Sequence, residues 1–375
     1  MFRLQSVKKH ACLWLILLFF IVLVSGCGTA QEPKEAENAA PETAVQADRN
    51  FVDDAGRTVT VPAEVNKTFS VSPIGSIMVY TLAPDKLIGW NFEFLPADAE
   101  FLLPQYRTLP NLGGWYAKST CNVEELLKIH PDVILSMGVI NETSVSQAEE
   151  IQEQVGIPVV LIDTGIKNLD KAYAMLGDLL GEKARAEELA AYCHRAVNEI
   201  AEKAAQIPVE ERVTVYYAEG PKGLQTDPKG SQHTEVLDLV GGINVADVIM
   251  KGGMGMTDVS LEQVLAWNPD VILSRSAEQG GAVNAILTDS KWQQIEAVKN
   301  NRVYLIPDSP FCWFDRPPSA NRIIGVQWLA NLLYPETFDL DMKTAIKEFY
   351  SLFYHLDLSD QQMETLLKHS PAGGN

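Results

Sequence analysis

The chain has 375 residues, of which 46% are hydrophobic and 21% charged, a composition typical of a globular protein with a large apolar core. Lysine and arginine total 30 against 49 acidic residues, and the net charge of -19 has the wrong sign for binding a nucleic acid backbone. Five cysteines without any CxxC spacing exclude a zinc knuckle and a disulfide-rich scaffold.

The N-terminus predicts an exported, lipid-anchored protein. Basic residues precede an apolar run at positions 13–24, which is too short to span a bilayer but suits a secretory signal. The run ends in Val-Ser-Gly before Cys27, which resembles a bacterial lipobox. We therefore expect removal of residues 1–26, acylation of the Cys27 thiol and anchoring to the outside of the cell membrane.

The next segment predicts a spacer followed by a hairpin. Residues 27–50 contain almost no large apolar side chains, so we expect a disordered acidic tether. Beyond it, FVDDAGRTVTVP alternates valine and threonine after a turn-like Asp-Ala-Gly, which is typical of a small β-hairpin.

The remaining chain alternates short apolar runs with amphipathic stretches, a pattern that favours an α/β fold. An internal repeat predicts two lobes: VEELLKIHPDVILS at 123–136 and LEQVLAWNPDVILS at 261–274 are identical at eight of fourteen positions. Each copy reads as a helix closed by proline and followed by a buried strand.

Between the two halves lies a strongly helical region. Residues 182–205 carry an apolar stripe that includes Cys193, and about 1.5 Å per residue makes this helix long enough to join two lobes. We expect an N-terminal lobe at 51–166, connecting helices at 167–207, a C-terminal lobe at 208–335 and closing helices at 336–375.

These features together resemble class III bacterial substrate-binding lipoproteins, the iron-chelate, haem and cobalamin binders of ABC importers. The resemblance rests on the lipobox, the long connecting helix and the motifs LAPDKLIGW, PNLGG, LVGGINVAD and the two repeat segments, and it covers residues 51–370. It implies two Rossmann-like lobes joined by a single long helix, with the ligand between the lobes and little hinge closure. It also implies a monomer that delivers its ligand to a permease with its ATPase.

The resemblance assigns Glu124 and Glu262 to permease docking, because each lobe of such proteins offers a glutamate to arginines of the permease. From the sequence alone, a carboxylate early in a helix is equally explained by the helix dipole.

Ligands of two-lobed α/β proteins bind beyond the carboxyl ends of the strands, so the loops that follow apolar runs supply the candidate ligand-binding residues. They are Ser72, Trp90, Trp115, Tyr116, Met137, Tyr217, Met254, Met256, Arg275, Trp313 and Arg316. Aromatic faces suit a flat macrocycle or a catechol, and an arginine suits a carboxylate or a ferric chelate.

The segment DSPFCWFDR at 308–316 has no sustained period, and we expect an irregular loop whose exposed aromatic side chains contact the ligand. For Arg316 the alternative is a pairing with Asp315 or with a carboxylate at the lobe edge. The methionines are expected to form an adaptable wall, with soft metal ligation as the alternative for Met254 and Met256.

Few basic residues lie in these loops, which disfavours a triply charged catecholate complex. A neutral or zwitterionic chelate, a corrinoid or haem fits better, and a small oxyanion such as molybdate or tungstate held by the helix start after Ser72 is the alternative.

A bare-metal site and an enzyme are the competing classes. The exported chain has histidines at 130, 194, 233, 355 and 369, and we expect no His, Asp and Glu cluster around an ion. GxSxG, HExxH, Walker and GxGxxG motifs are absent from the sequence. We therefore predict no catalytic residue and no cofactor, with a lipid-anchored hydrolase or chelatase as the alternative.

Overall fold

The structure is a computed structural model that describes residues 47–250 and 255–368. The predicted signal peptide, Cys27, most of the tether, Met254 and residues 369–375 lie outside the described residues. Within the described part of the chain, no helix combines the length and the hydropathy that crossing a bilayer requires.

The described strands are β1 Arg49–Val52, β2 Thr58–Val61, β3 Thr68–Ser70, β4 Val133–Gly138, β5 Val159–Asp163, β6 Thr214–Ala218, β7 Gln225–Thr226, β8 Ile243–Asn244, β9 Thr257–Asp258, β10 Val271–Ser274 and β11 Val303–Leu305. The described helices are α1 Pro73–Leu82, α2 Pro96–Ala99, α3 Val123–Ile129, α4 Glu142–Val155, α5 Leu169–Leu180, α6 Lys183–Ala204, α7 Glu235–Leu239, α8 Leu261–Trp267, α9 Val283–Thr288, α10 Glu296–Lys299, α11 Arg322–Leu333, α12 Pro335–Phe338, α13 Met342–Tyr354 and α14 Asp360–Lys368.

The predicted hairpin is present, but it begins inside the predicted tether. β1 and β2 pair antiparallel, with Arg49 opposite Val61. The guanidinium of Arg49 also donates to the Asp178 carboxylate at 3.2 Å and to the Asp178 carbonyl at 2.7 Å. The pairing of β1 with β2 and the hydrogen bonds of Arg49 to Asp178 offset the conformational entropy lost when this segment becomes ordered. The prediction of a tether that reaches residue 50 is therefore wrong for Arg49 and Asn50.

Two parallel sheets form the cores of the two halves. The first has the strand order β3-β4-β5, and the second has the order β11-β10-β6-β8. Their central strands are almost completely buried, as expected for parallel strands that are covered on both faces by helices.

The sequence repeat folds into two equivalent units. α3 and α8 both end at a residue in the left-handed conformation, His130 with φ 56° and Asn268 with φ 41°. The aspartate of each Pro-Asp pair then anchors the neighbouring strand. Asp132 accepts from two backbone N–H groups, at 2.7 and 2.8 Å, just before β3. Asp270 accepts from the N–H and the hydroxyl of Thr214, at 2.9 and 2.6 Å, at the start of β6.

α6 is the long connecting helix, with 22 residues. It packs closely on α5, because a Cβ added at Gly177 would lie 2.2 Å from the Cβ of Ala186. Cys193 is buried on this helix as a free thiol, and burial raises its pKa well above the usual range. The prediction that Cys193 belongs to the core is confirmed.

The anchoring role of the repeat aspartates is testable by substitution. Asp132→Ala and Asp270→Ala should each lower the free energy of unfolding by about 1–3 kcal/mol, because two donors lose their acceptor. Asp132→Asn and Asp270→Asn keep one acceptor oxygen and should lose less. Urea unfolding of all four variants measures this, and losses below about 0.5 kcal/mol for both alanine variants would show that these contacts are not stabilising.

Candidate functional site

The candidate site lies at the carboxyl ends of the parallel strands. β3 leads to Ser72, β6 leads to Glu219, β10 leads to Arg275, and β11 leads into the 306–316 segment. Parallel strands end at the same edge of their sheet, so each half contributes one rim of side chains.

The rim of the N-terminal half is centred on the start of α1. Ser72 precedes Pro73 in an extended conformation, and its side chain makes no capping hydrogen bond. The Ser72 hydroxyl oxygen is buried and has no hydrogen-bond partner among the described residues. The first backbone N–H groups of a helix have no partners within the helix, so they and this hydroxyl are available to an oxygen-rich ligand.

Three further predicted residues surround this helix start. The backbone N–H of Trp115 donates to the carbonyl of Val71 at 2.8 Å, and the Tyr116 hydroxyl donates to the Asn91 carbonyl at 3.0 Å. The sulfur of Met137 lies 3.2 Å from the position that a Cβ would take at Gly75. The structure therefore places Trp115 and Met137 next to residues that flank Ser72, and Tyr116 next to Asn91, with both aromatic side chains partly accessible.

The rim of the C-terminal half is centred on Arg316. Its Nε donates to Glu219 Oε1 at 2.7 Å and its Nη2 donates to Asp227 Oδ2 at 2.7 Å, while Asp315 Oδ2 lies 3.3 Å from Nε. A guanidinium has five N–H donors, so these two hydrogen bonds leave donors available, and 25% of the side chain is exposed. The alternative stated for Arg316, a pairing with Asp315 or with a carboxylate at the lobe edge, is what the structure shows, with Glu219 and Asp227 as the rim carboxylates.

The second arginine of this rim is Arg275, which directly follows β10. Arg275 Nη2 donates to Gln279 Oε1 at 2.9 Å, and Arg275 Nε is buried without a partner among the described residues. The Oδ2 atom of Asp308 and the Tyr217 hydroxyl are also buried and unpartnered. Burial raises the pKa of Asp308 to about 6, although the positive charge of Arg275 opposes this shift.

The two rims touch across the site. Asp98, on α2, accepts from Ser309 Oγ at 2.7 Å and from Gln279 Nε2 at 3.1 Å. Burial raises the pKa of Asp98 above its usual value. Ser319 Oγ donates to the carbonyl of Ile74 at 2.9 Å, which places the chain just after Arg316 against the first turn of α1.

Two predicted aromatic residues are inside the core. Trp90 is 1% exposed and donates from Nε1 to the Tyr106 carbonyl at 2.8 Å. Trp313 is also 1% exposed, and its Nε1 donates to the Tyr350 hydroxyl at 3.2 Å. The 308–316 segment is irregular, as predicted, but the expectation that its aromatic side chains are exposed is wrong, because α13 covers the segment and buries their apolar surface.

Of the other predicted ligand-binding residues, Tyr217 is buried and Met256 is exposed. Tyr217 is fully buried, with its ring 4.7 Å from the ring of Phe314. Met256 is 39% exposed and adopts a left-handed φ of 53°.

Sequence reasoning missed a cluster of acidic and histidine side chains. Asp227, His233 and Asp315 place potential metal-ligand atoms within 4.8 Å of one another, so the expectation of no such cluster is wrong. Asp227 and His233 lie close together along the chain, but Asp315 is 82 residues beyond His233, and no spacing pattern in the sequence connects it to them. Arg316 lies against the Oδ2 atoms of both aspartates, which gives the cluster an internal cation in place of a metal ion.

The predicted docking residues occupy matching places in the two repeat units. Glu124 and Glu262 are the second residues of α3 and α8, and both are exposed. The Glu124 side chain is 82% exposed and pairs with Lys128 at 3.0 Å. Hydrogen bonding to its own backbone N–H, followed by Ser260, lowers the pKa of Glu262.

Comparisons with known proteins agree with this architecture. The periplasmic binding protein family model matches residues 107–310. The molybdate-binding protein MolA of Haemophilus influenzae is 29% identical over 337 residues, covering 82% of this chain and 91% of MolA. The ABC transporter substrate-binding lipoprotein YvrC of Bacillus subtilis is 28% identical, covering 88% of this chain and 99% of YvrC.

Among solved structures, an ABC transporter solute binding protein from Sulfurospirillum deleyianum is 32% identical with a TM-score of 0.79, covering 85% of this chain and 99% of that chain. The predicted class III fold is thereby confirmed. The chain belongs to the periplasmic binding protein family, whose members are substrate-binding components of ABC importers.

Proposed function

We propose that this protein is the lipid-anchored solute-binding component of an ABC importer and captures a metal chelate with anionic oxygen atoms between its lobes. The chelate classes are a ferric siderophore, haem or a corrinoid. The protein works outside the cytoplasm and delivers its ligand unaltered to a permease with its ATPase.

The observation that carries this proposal is the position of Arg316. This residue lies in the segment that follows β11. Its guanidinium is partly exposed and has N–H donors besides the two that bind Glu219 and Asp227. An arginine held rigidly by carboxylates loses little side-chain entropy when a ligand oxygen binds. The unpartnered Nε of Arg275 and the hydroxyl of Ser72 supply further donors from the two rims.

A small oxyanion such as molybdate is the second candidate. Burial of Trp90, Tyr217 and Trp313 leaves Trp115 and Tyr116 as the partly accessible aromatic residues of the predicted set, which reduces the stacking surface for a macrocycle. The free start of α1 suits an oxyanion, and MolA, a relative, is described as molybdate-binding.

The role of Arg316 is tested by Arg316→Lys, which keeps the positive charge but loses the planar fork of donors. We expect the affinity for the ligand to fall by about 1.5–3 kcal/mol, the value of a hydrogen bond to a charged group. Quenching of tryptophan fluorescence by a ferric hydroxamate, haem, cobalamin and molybdate identifies the ligand and measures its affinity. Arg195→Lys, on the exposed face of α6, is the matched control and should bind as the wild type does. Equal affinities for both variants would remove Arg316 from the site.

The docking role of Glu124 and Glu262 predicts a separation of binding from transport. Replacing both with alanine should leave the affinity of the purified protein unchanged and reduce uptake by whole cells at least several-fold. Glu149→Ala combined with Glu202→Ala removes two exposed carboxylates elsewhere and should not affect uptake. Normal uptake by the first double variant would contradict the assignment.

The lipid anchor is tested with Cys27→Ala. Loss of the acylated thiol should release the exported protein from the membrane fraction and abolish incorporation of a radiolabelled fatty acid. Membrane retention of the variant at the wild-type level would refute anchoring through Cys27.

A further inference from the structure

The surroundings of Arg316 contain more acidic than basic groups. The carboxylates of Glu219, Asp227 and Asp315, here called the carboxylate cluster, are at most 5% exposed and face one guanidinium. His233 Nδ1 lies 2.7 Å from Asp315 Oδ1. Three buried negative charges around one positive charge are expensive, so charge balance favours a bound proton within the cluster.

Hydrogen bonding indicates where that proton belongs. Asp227 is well supplied with donors, because Ser231 Oγ donates to Oδ1 at 3.0 Å and Arg316 donates to Oδ2 at 2.7 Å. In Asp315, Oδ1 is paired with His233, and Oδ2 makes no hydrogen bond but lies 3.3 Å from Arg316 Nε, so each oxygen faces a nitrogen. Glu219 receives one hydrogen bond from Arg316, and its Oε2 is buried with no partner among the described residues. A protonated Glu219 is neutral and keeps the Arg316 contact, which removes the cost of burying an unpartnered anionic oxygen.

Among the residues that the structure describes, the other ionisable groups around the cluster do not balance its negative charge. Tyr216 and Tyr217 on β6 and Cys312 are buried, and burial raises their pKa, so these groups are neutral. Arg275 is a second cation, and it acts on the carboxylates of Asp315 and Asp308 as well as on the neutral Tyr217 and Cys312. Two guanidinium groups therefore face four carboxylates, those of Glu219, Asp227, Asp315 and Asp308, and an excess of negative charge remains.

We propose that Glu219 is a specificity-determining residue that carries a proton in the folded protein, and that this proton allows an anionic ligand to bind at Arg316. The ligand half of this inference rests on the proposed function. Burial raises the pKa of Glu219 to about 8, against the lowering effect of Arg316, and the neighbouring Asp227 raises it further. When Glu219 ionises, the cluster gains a negative charge beside the binding arginine and repels an anion.

The proton itself is tested without a ligand. A group whose pKa rises from 4.5 in the unfolded chain to about 8 in the folded protein makes the folded protein less stable as pH increases between those values. Relative to Glu219→Gln, the wild-type unfolding equilibrium constant should increase by up to tenfold per pH unit in this window. Urea unfolding at pH 5, 6, 7 and 8 measures the ratio of the wild-type unfolding constant to that of Glu219→Gln. Glu210→Gln, on the surface, is the matched control. A ratio that does not change with pH overturns the proposal.

A second measurement uses the wild type alone, in case Glu219→Gln does not fold. Infrared difference spectra should show a protonated carboxylic acid at pH 7 that ionises as the pH passes through about 8. Absence of a protonated carboxyl at pH 7 also overturns the proposal.

The ligand half is tested with two probes of different charge, molybdate and a neutral ferric trihydroxamate. Wild-type affinity for molybdate should fall by up to tenfold per pH unit above pH 8, while affinity for the neutral chelate stays constant. In Glu219→Gln the affinity for molybdate should no longer depend on pH in this range. A wild-type molybdate affinity that is independent of pH overturns the role of the proton in ligand selection. If neither probe binds, the proposed role of the proton in ligand binding is overturned, and molybdate and the trihydroxamate are excluded as ligands. The unfolding and infrared results still decide whether Glu219 is protonated.

Discussion

The pairing of one guanidinium with several buried carboxylates is the interaction on which the C-terminal rim depends. Arg316 joins Glu219, which follows β6, to Asp227, which follows β7. No other described contact connects these strand ends through one rigid planar group, and the fork of the guanidinium fixes their relative positions. The cation is also partly exposed, so the group that organises these loops still presents N–H donors at the rim.

The N-terminal rim is built on a different principle. It relies on the start of α1, where backbone donors and the Ser72 hydroxyl remain free, and it has no arginine comparable to Arg316 among the site residues named above. An anionic oxygen between the two rims would meet a helix start on one side and a guanidinium on the other. Under the proposed function, each half would therefore bind the same ligand atom in a different way.

Contacts between the halves restrict how far the site opens. Asp98 accepts hydrogen bonds from Ser309 and Gln279, and Arg322 Nη2 donates to the Thr164 carbonyl at 2.9 Å. Together with the close packing of α5 on α6, these contacts favour small adjustments over a wide hinge movement. A site of this kind selects its ligand through donors that are already in place.

The local elements were predictable from the sequence because their signals are local. The repeated helix and strand, the hairpin and the connecting helix follow from periodicity, turn residues and the Pro-Asp pairs, each of which acts within a few residues. The resemblance and the loops after apolar runs led to Ser72, Arg275 and Arg316, because strand ends in parallel sheets share one edge.

Tertiary structure alone decided the burial of Trp90 and Trp313 and the composition of the carboxylate cluster. An irregular loop carries no period that says which side chains α13 will cover, so exposure at 308–316 could not be read from sequence. Likewise, Arg316 and its neighbour Asp315 are far along the chain from Glu219 and Asp227, with separations of 97 and 89 residues between Arg316 and these two partners, and the groups meet only through the tertiary fold. The sequence thus determined the lobes and their strand ends, whereas the charge that the binding site presents depends on long-range packing and on the burial it imposes.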